Sequence, residues 1–430
     1  MSDWKETTLG VIPIDWNIVN FIDSIDIKNG QVNPTKIPYL DMLHIGSENI
    51  EQNSGRLINI KTNRQKNISS GNYYFTGDDI LYSKIRPYFN KVALPYYEGT
   101  CSADVYPLRP KNKYFDKKFL FYFLLSDFFL TQAISFQDRT GIPKINREQL
   151  GVTLLLNPSL PEQKRIADIL SCLDAKIDNL RRQNETLEEI ARSIFKHWFM
   201  DFEFPDADGK SYKSSGGAMV RSELGDIPEG WQVGKLGKLT KTITKGTTPT
   251  TFKKDFVDSG INFIKVESIS GDHTLDRSKF AYIDEETNTL LKRSIVQAKD
   301  ILYTIAGTIG RYVMVTASSL PANTNQAVAI IRPDFDKIDP EYLLCYFASI
   351  NYKHYLSSRI VQAVQANLSL GVLSDSPVTI PDKKIRNGFR EAVKPIFSKK
   401  ESNQREIQTL TKTRDALLPK LMSGQLRVKE

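Results

Sequence analysis

From residue 166 onward, apolar side chains return every three or four positions: Ile166, Leu170, Leu173, Ile177, Leu180, Leu187, Ala191, Ile194 and Trp198. Steps alternating between four and three give the 3.5-residue repeat of a coiled-coil seam. Asn184 occupies the one polar seam position of this stretch, where a lone Asn fixes register at some cost in stability. Lys176, Asp178, Arg181, Arg182, Glu185, Glu188 and Glu189 fill the flanks. Pro161, in PEQKR, suits a first helical turn. The pattern predicts one long helix over 161–200.

Ahead of it the period changes to two. The runs IPYLDML, GDDILYSKI and VALPYY alternate and are bounded by Gly, Asn and Asp, so they read as strands. FLFYFLLSDFFL, Phe119 to Leu130, is apolar all round and predicts one buried core helix. It carries Asp127 and is too short to span a membrane.

The whole arrangement is written twice. LGVIPIDW recurs as LGDIPEGW, taking Trp16 to Trp231, a shift of 215; DILY recurs from Asp79 at Asp300, a shift of 221. Arg109-Pro110 returns as Arg332-Pro333, and from there to Ile194 and Leu417 the shift holds at 223. The second copy therefore gained residues only in its first half, where exposed loops absorb insertions. Its strands are INFIKVESI, KDILYTIAG and RYVMVTA, and its apolar helix is Glu341 to Ile350. Its seam reads Phe389, Val393, Ile396, Lys400, Asn403, Ile407, Leu410, Arg414, Leu417 and Leu421. Pro395 should kink that helix or mark its start. The two helices can bury their seams against each other. At about 1.5 Å per residue the first spans roughly 55 Å, or at most about 16 base pairs of duplex.

The expected fold is therefore α+β: two pseudo-symmetric domains, each a mixed, mainly β core with helices, joined by two long helices. The boundaries are 1–160 for the first domain, 161–200 for the central helical spacer and 201–222 for a linker. The second domain is 223–380, its spacer 381–424 and the tail 425–430.

A net charge of +8 and a pI near 9.0 lean toward polyanions but are spread too thinly to identify a partner. Cys101, Cys172 and Cys345 lie far apart, so a disulfide framework or zinc knuckle is not expected, and a reducing cytoplasm fits. MSDWKETTLG lacks the apolar run of a secretion signal. No phosphate loop occurs: TIAGTIG is followed by Arg311 and reads as a turn. LLLNPSL lacks the second proline and aromatic residue of an NPP[YF] methyltransferase motif, and the four histidines are isolated. Catalytic equipment and bound cofactors are therefore not expected in this chain.

Residues suited to nucleic acid do gather in loops. YSKIRPYFNK supplies Lys84, Arg86 and Lys91; QDRTGIPKINR supplies Arg139, Lys144 and Arg147. In the second copy TKGTTPTTFKK supplies Lys245, Thr247, Lys253 and Lys254, AGTIGR supplies Arg311, and SSRIVQAVQAN supplies Arg359, Gln362 and Gln365. Arg reads guanine and Gln reads adenine in the major groove, while Lys and Thr mainly hold phosphates.

LG-x-IP-x-x-W, DILY, R-P, PEQKRIADILSCLDAKI, SIFKHWFMDFEF and RDALLPKLMSGQLRV, in this order, resemble the specificity subunits of type I restriction–modification systems across the whole chain. The resemblance implies two target recognition domains and two spacers paired as an antiparallel coiled coil. The seam residues are then Ile166, Leu170, Leu173, Ile177, Leu180, Asn184, Leu187, Ile194, Ile407, Leu410 and Leu417. It also implies double-stranded DNA as partner, with two modification subunits that methylate adenine and restriction subunits that translocate and cut. S-adenosylmethionine, ATP and Mg would belong to those partners. PDKKIRNGF departs from the pattern, lacking the Glu-Gln of the first copy. A stand-alone DNA-modifying enzyme and a coiled-coil scaffold that touches no DNA account for less of the sequence.

Overall fold

The structure, a computed structural model, describes residues 4–111, 115–136, 143–206, 208–360 and 367–428. The chain divides into two compact units, Met1–Asp178 with Gln408–Glu430, and Asn179–Ile407. Two 40-residue helices, Leu160–Phe199 and Lys383–Met422, each contribute one part to each unit.

In the first unit, strands Val92–Ala93, Ile80–Ser83, Val105–Pro110 and Ile25–Ile27 form an antiparallel sheet in that order. A five-stranded sheet runs Gln31–Val32, Asn72–Phe75, Gly99–Ser102, Leu43–Ile45, Lys61–Thr62, with one parallel pair between Gly99–Ser102 and Leu43–Ile45. The second unit repeats this plan. Its sheets run Tyr312–Met314, Ile301–Thr304, Val328–Pro333, Thr240–Lys245, and Ala281–Ile283, Ile261–Ile264, Ala322–Thr324, Ile295–Val296; again Ile261–Ile264 and Ala322–Thr324 are the parallel pair. A two-stranded ribbon precedes each sheet system, Trp4–Thr7 with Gly10–Pro13 and Met219–Ser222 with Gly225–Pro228.

The repeated tetrapeptide and the repeated Arg-Pro meet in space. Arg109 donates from Nε and Nη2 to the buried Asp79 at 2.8 and 3.0 Å, and Arg332 donates to Asp300 at 2.8 and 2.7 Å. Each carboxylate also caps the turn before its strand, accepting from Thr76 N–H or Gln297 N–H. A buried carboxylate is tolerable only with such a set of donors.

The apolar stretch Phe119 to Leu130, expected as one helix, is two, whereas Glu341 to Ile350 falls almost wholly in one helix that a second follows directly. Lys117–Leu125 and Asp127–Ser135 break at Ser126; Pro340–Ala348 and Ile350–Ile360 break at Ser349. At both breaks the Ser hydroxyl donates to the carbonyl three residues back at 2.6 Å, competing with the helix ladder, while its backbone turns extended. The first helices of the two pairs pack into the aromatic cores around Phe119, Phe123 and Phe129, and around Tyr303, Tyr342 and Phe347.

Pro395 does not mark the start of the second long helix, which begins at Lys383 and continues past it. The second long helix is capped by Asp382, whose side chain accepts from Ile385 N–H at 2.9 Å, and the buried Arg386 stands at the position of Gln163 with different bonds. Gln163 accepts from Asp116 N–H at 2.8 Å, whereas Arg386 donates to the Asp336 carbonyl at 3.2 Å.

Candidate nucleic-acid interface and helical seam

In each unit the long helices run antiparallel. In the first, Asp174 pairs with Arg414 at 2.9 Å, and Arg427, past the end of the second helix, pairs with Glu162 at 2.7 Å; in the second, Asn184 faces Asn403 and Glu188 faces Lys400. Ile166, Leu170, Ile177, Leu180, Ala191 and Ile407 are buried; Leu173, Leu187, Ile194, Leu410 and Leu417 are half-buried. Asn184 is not alone in the seam, because Asn403, fully buried, donates to its side-chain oxygen at 3.0 Å. Each polar seam residue of the second helix thus has a polar partner opposite.

Glu188 also receives Arg192 and lies 3.7 Å from His273 Nε2. Burial pushes the Glu188 carboxyl up, but Lys400, His273 and Arg192 outweigh it and hold its pKa below the usual value. Burial lowers the His273 pKa, and its ring stacks on Tyr312 at 3.9 Å.

Among the candidate DNA contacts, the structure separates framework from free side chains. Lys91 donates to the Ser47 carbonyl at 2.7 Å and lies near the Phe89 ring; burial lowers its pKa. Arg311, at the matching point of the second copy, donates to the Ile269 carbonyl at 3.0 Å. Arg147 is held by the Ile27 and Lys28 carbonyls at 2.8 and 2.6 Å and stacks over Tyr106. Lys84 is half-buried, 3.6 Å from Asp104. These four mainly build loops. Thr247 accepts from Arg293, and Lys254 pairs with Glu286 at 2.7 Å.

Arg86, Lys144, Lys245, Lys253 and Arg359 are exposed. Arg86 is left-handed (φ 47°), its N–H donates to the Pro143 carbonyl at 2.6 Å, and Ile85 bridges Lys144, so one loop cluster carries Arg86, Lys144 and the exposed Tyr88. A non-glycine residue in this region persists only where its surroundings hold it, often at functional sites. Arg359 stacks on Tyr355 at 5.4 Å. Arg139, Gln362 and Gln365 lie outside the described residues. Two exposed residues not singled out in the sequence, Arg293 and Gln326, stand beside Thr247 and Thr248. Among the described residues no three His, Cys, Asp or Glu side chains gather as metal ligands, and no helix is long and apolar enough to cross a membrane.

Comparison with known proteins decides the family. The family described as type I restriction modification DNA specificity domain matches twice, over residues 13–189 and 228–412. The chain belongs to that family. A curated relative, the type I restriction enzyme MjaIX specificity subunit of Methanocaldococcus jannaschii, is 27% identical over 447 residues, covering 100% of this chain and 98% of its own. The type I restriction enzyme HindI specificity subunit of Haemophilus influenzae is 28% identical over 502 residues, covering 99% and 100%. The solved S subunit of the type I restriction–modification system from M. genitalium shares the fold, with TM-score 0.53 at 15% identity over 95% of this chain and 96% of its own. The two matched segments are the two copies of the repeat, so this chain is a type I specificity subunit with both recognition domains and both helical spacers.

Proposed function

We propose that this specificity subunit is itself non-catalytic and works in the cytoplasm by reading an asymmetric, interrupted DNA site. Each recognition domain docks in the major groove of one half-site; phosphate contacts position it and a few base-edge contacts specify it. The paired helices set the number of base pairs between the halves. Two modification subunits dock along those helices and methylate an adenine flipped from the stack, since a base inside a duplex is out of reach. Restriction subunits translocate and cut DNA from the same assembly. S-adenosylmethionine, ATP and Mg are bound by these partners.

The observation that supports this reading is the duplication of one sheet fold, each compact unit with exposed cations on its loops and part of each long helix. Sequencing of methylated bases in cells carrying the complete system tests it. The expected result is one motif with two defined halves and a fixed gap. Adding a heptad between Ile177 and Leu187 should change the gap and leave both half-site sequences intact. An unchanged gap would remove the helices from that role.

A further inference from the structure

The two recognition domains offer different side chains at the same edge of their sheets. In the first, Lys84 N–H donates to the Asp104 carbonyl at 2.9 Å, so the turn after strand Gly99–Ser102 abuts the loop that carries the exposed Arg86. In the second, Ile305 N–H donates to the Ala327 carbonyl at 2.8 Å and makes the same junction. There the corresponding loop, Ile305-Ala306-Gly307-Thr308-Ile309-Gly310, holds no charge, and the Arg311 that follows is spent on the Ile269 carbonyl.

Polar groups reach this edge from other segments. Arg293, exposed in the turn Lys292–Ser294, donates from Nη2 to the Thr247 hydroxyl at 3.3 Å. Gln326, exposed on the turn after Ala322–Thr324, accepts from the Thr248 hydroxyl through its side-chain oxygen. The segment bearing both threonines lies directly on that turn. Thr247 N–H donates to the Thr324 carbonyl at 3.1 Å, and a Cβ on Gly246 would sit 2.1 Å from the Thr324 oxygen and 2.3 Å from that of Asn325. Only glycine permits this approach. Lys245, exposed, flanks the group.

We propose that Arg293 and Gln326 are the base-reading pair of the second recognition domain, Arg293 for a guanine and Gln326 for an adenine, with Lys245 on a neighbouring phosphate. This rests on the reading above, that each domain docks on one half-site. Arg has five N–H donors, one of them engaged by Thr247, and guanine O6 and N7 need two. The Gln326 oxygen keeps a lone pair beside the Thr248 hydroxyl, and its amide keeps two donors; adenine N6 and N7 need one acceptor and one donor. Each threonine also limits the rotamers of a long side chain, so part of the ordering entropy is lost before DNA arrives.

The test uses the complex assembled with its modification subunits, with methylated motifs read by sequencing and DNA affinity measured in parallel. Arg293→Ala should relax one guanine and Gln326→Ala one adenine, both in the same half-site. Discrimination at those bases should fall about tenfold or more, with the other half-site unchanged. Arg293→Lys should keep overall affinity within about threefold yet weaken the guanine preference, an effect that a merely structural arginine would not produce. If Arg293→Ala fails to fold, Arg293→Lys and Gln326→Ala carry the test. A motif unchanged in these variants, or binding weakened equally on every sequence, overturns the proposal. A wild-type complex that methylates no two-part motif would instead remove the reading on which it rests.

Discussion

Arg427→Ala isolates the contact that ties the end of the chain to its beginning. Arg427 donates from Nε and Nη2 to Glu162 at 2.7 and 3.1 Å, and from Nη1 and Nη2 to Asp15 at 2.9 and 2.7 Å. Its guanidinium lies over the Trp16 ring at 5.8 Å, and Trp16 Nε1 donates to the same Glu162 at 3.0 Å. Asp15 and Glu162 raise the Arg427 pKa further, so it is a cation at every working pH. The two arms are unequal. Asp15 is half exposed, at 52%, and such a pair contributes about 1 kcal/mol or less. Glu162 is 6% exposed, and removing its cation leaves a buried carboxylate that still accepts from Trp16 Nε1, a cost of about 3–5 kcal/mol in a dry site. A cavity of about 310 Å³ beside it, lined by Asp15, Pro161, Glu162 and Arg165 among others, admits water and brings the expected loss nearer to about 2–3 kcal/mol. Denaturant midpoints, followed by amide exchange around residues 9–20 and 160–170, should show Arg427→Ala well below Asp15→Ala. Adding Glu162→Gln to Arg427→Ala should recover part of the loss, because a neutral amide needs no cation. Equal costs for Arg427→Ala and Asp15→Ala, or strict additivity with Glu162→Gln, would refute this account.

Two further effects are accessible to the same measurements. Burial lowers the His44 pKa from 6.5 to about 4, so the unfolded chain holds the extra proton between those values. Stability of the first unit should therefore fall as pH drops from about 6.5 to 4, by up to about 3 kcal/mol, and His44→Gln should flatten that slope. In the seam, Asn403→Leu deprives Asn184 of its donor at a cost of about 1–3 kcal/mol. Asn184→Leu with Asn403→Leu should be more stable than that single variant, and amide exchange near residues 184 and 403 would report it; a double variant weaker than the single would count against the pairing.

What the sequence disclosed follows its periodicities. The seam from Ile166 to Trp198 and the copied strands rest on spacings of 3.5 and 2, which persist whatever the neighbours are. The repeats of DILY and Arg-Pro were visible as words, but their meaning was not: Asp79 and Arg109 are thirty residues apart, and only the sheet makes them an ion pair. The helix break at Ser126 escaped notice because a serine in an apolar run changes neither period nor mean hydropathy; its hydroxyl decides locally. The candidate contacts were harder still. In YSKIRPYFNK, Lys84, Arg86 and Lys91 are equivalent cations, and what separates Lys91 from Arg86 is a carbonyl on Ser47, 44 residues away. Arg293 and Gln326 belong to no basic run, since each reaches the edge from a different turn.

The exchange of tails explains why the repeat in sequence is not the unit that packs. By the 223-residue shift, Arg427 corresponds to Phe204. Arg427 lies over Trp16, and Phe204 stacks on Trp231 with centroids 5.0 Å apart and planes at 23°. The tail that ends the second copy therefore covers the opening tryptophan of the first, while the tail that ends the first covers the tryptophan of the second. The chemistry differs although the place is the same. Glu162 beneath Trp16 calls for a cation, whereas its counterpart Ile385 carries no charge, and an aromatic ring closes that site instead, with Phe199 and Phe202 beside it. Each compact unit is consequently built from one copy's sheets and the other copy's helix end, which is why the division falls at Asp178 and Ile407, inside the long helices. An exchange of residues 223–380 alone would leave Phe204 and its partners Phe199 and Phe202 behind. A grafted domain must bring an aromatic-compatible tryptophan site with it, or the second unit loses its closure before any base is read.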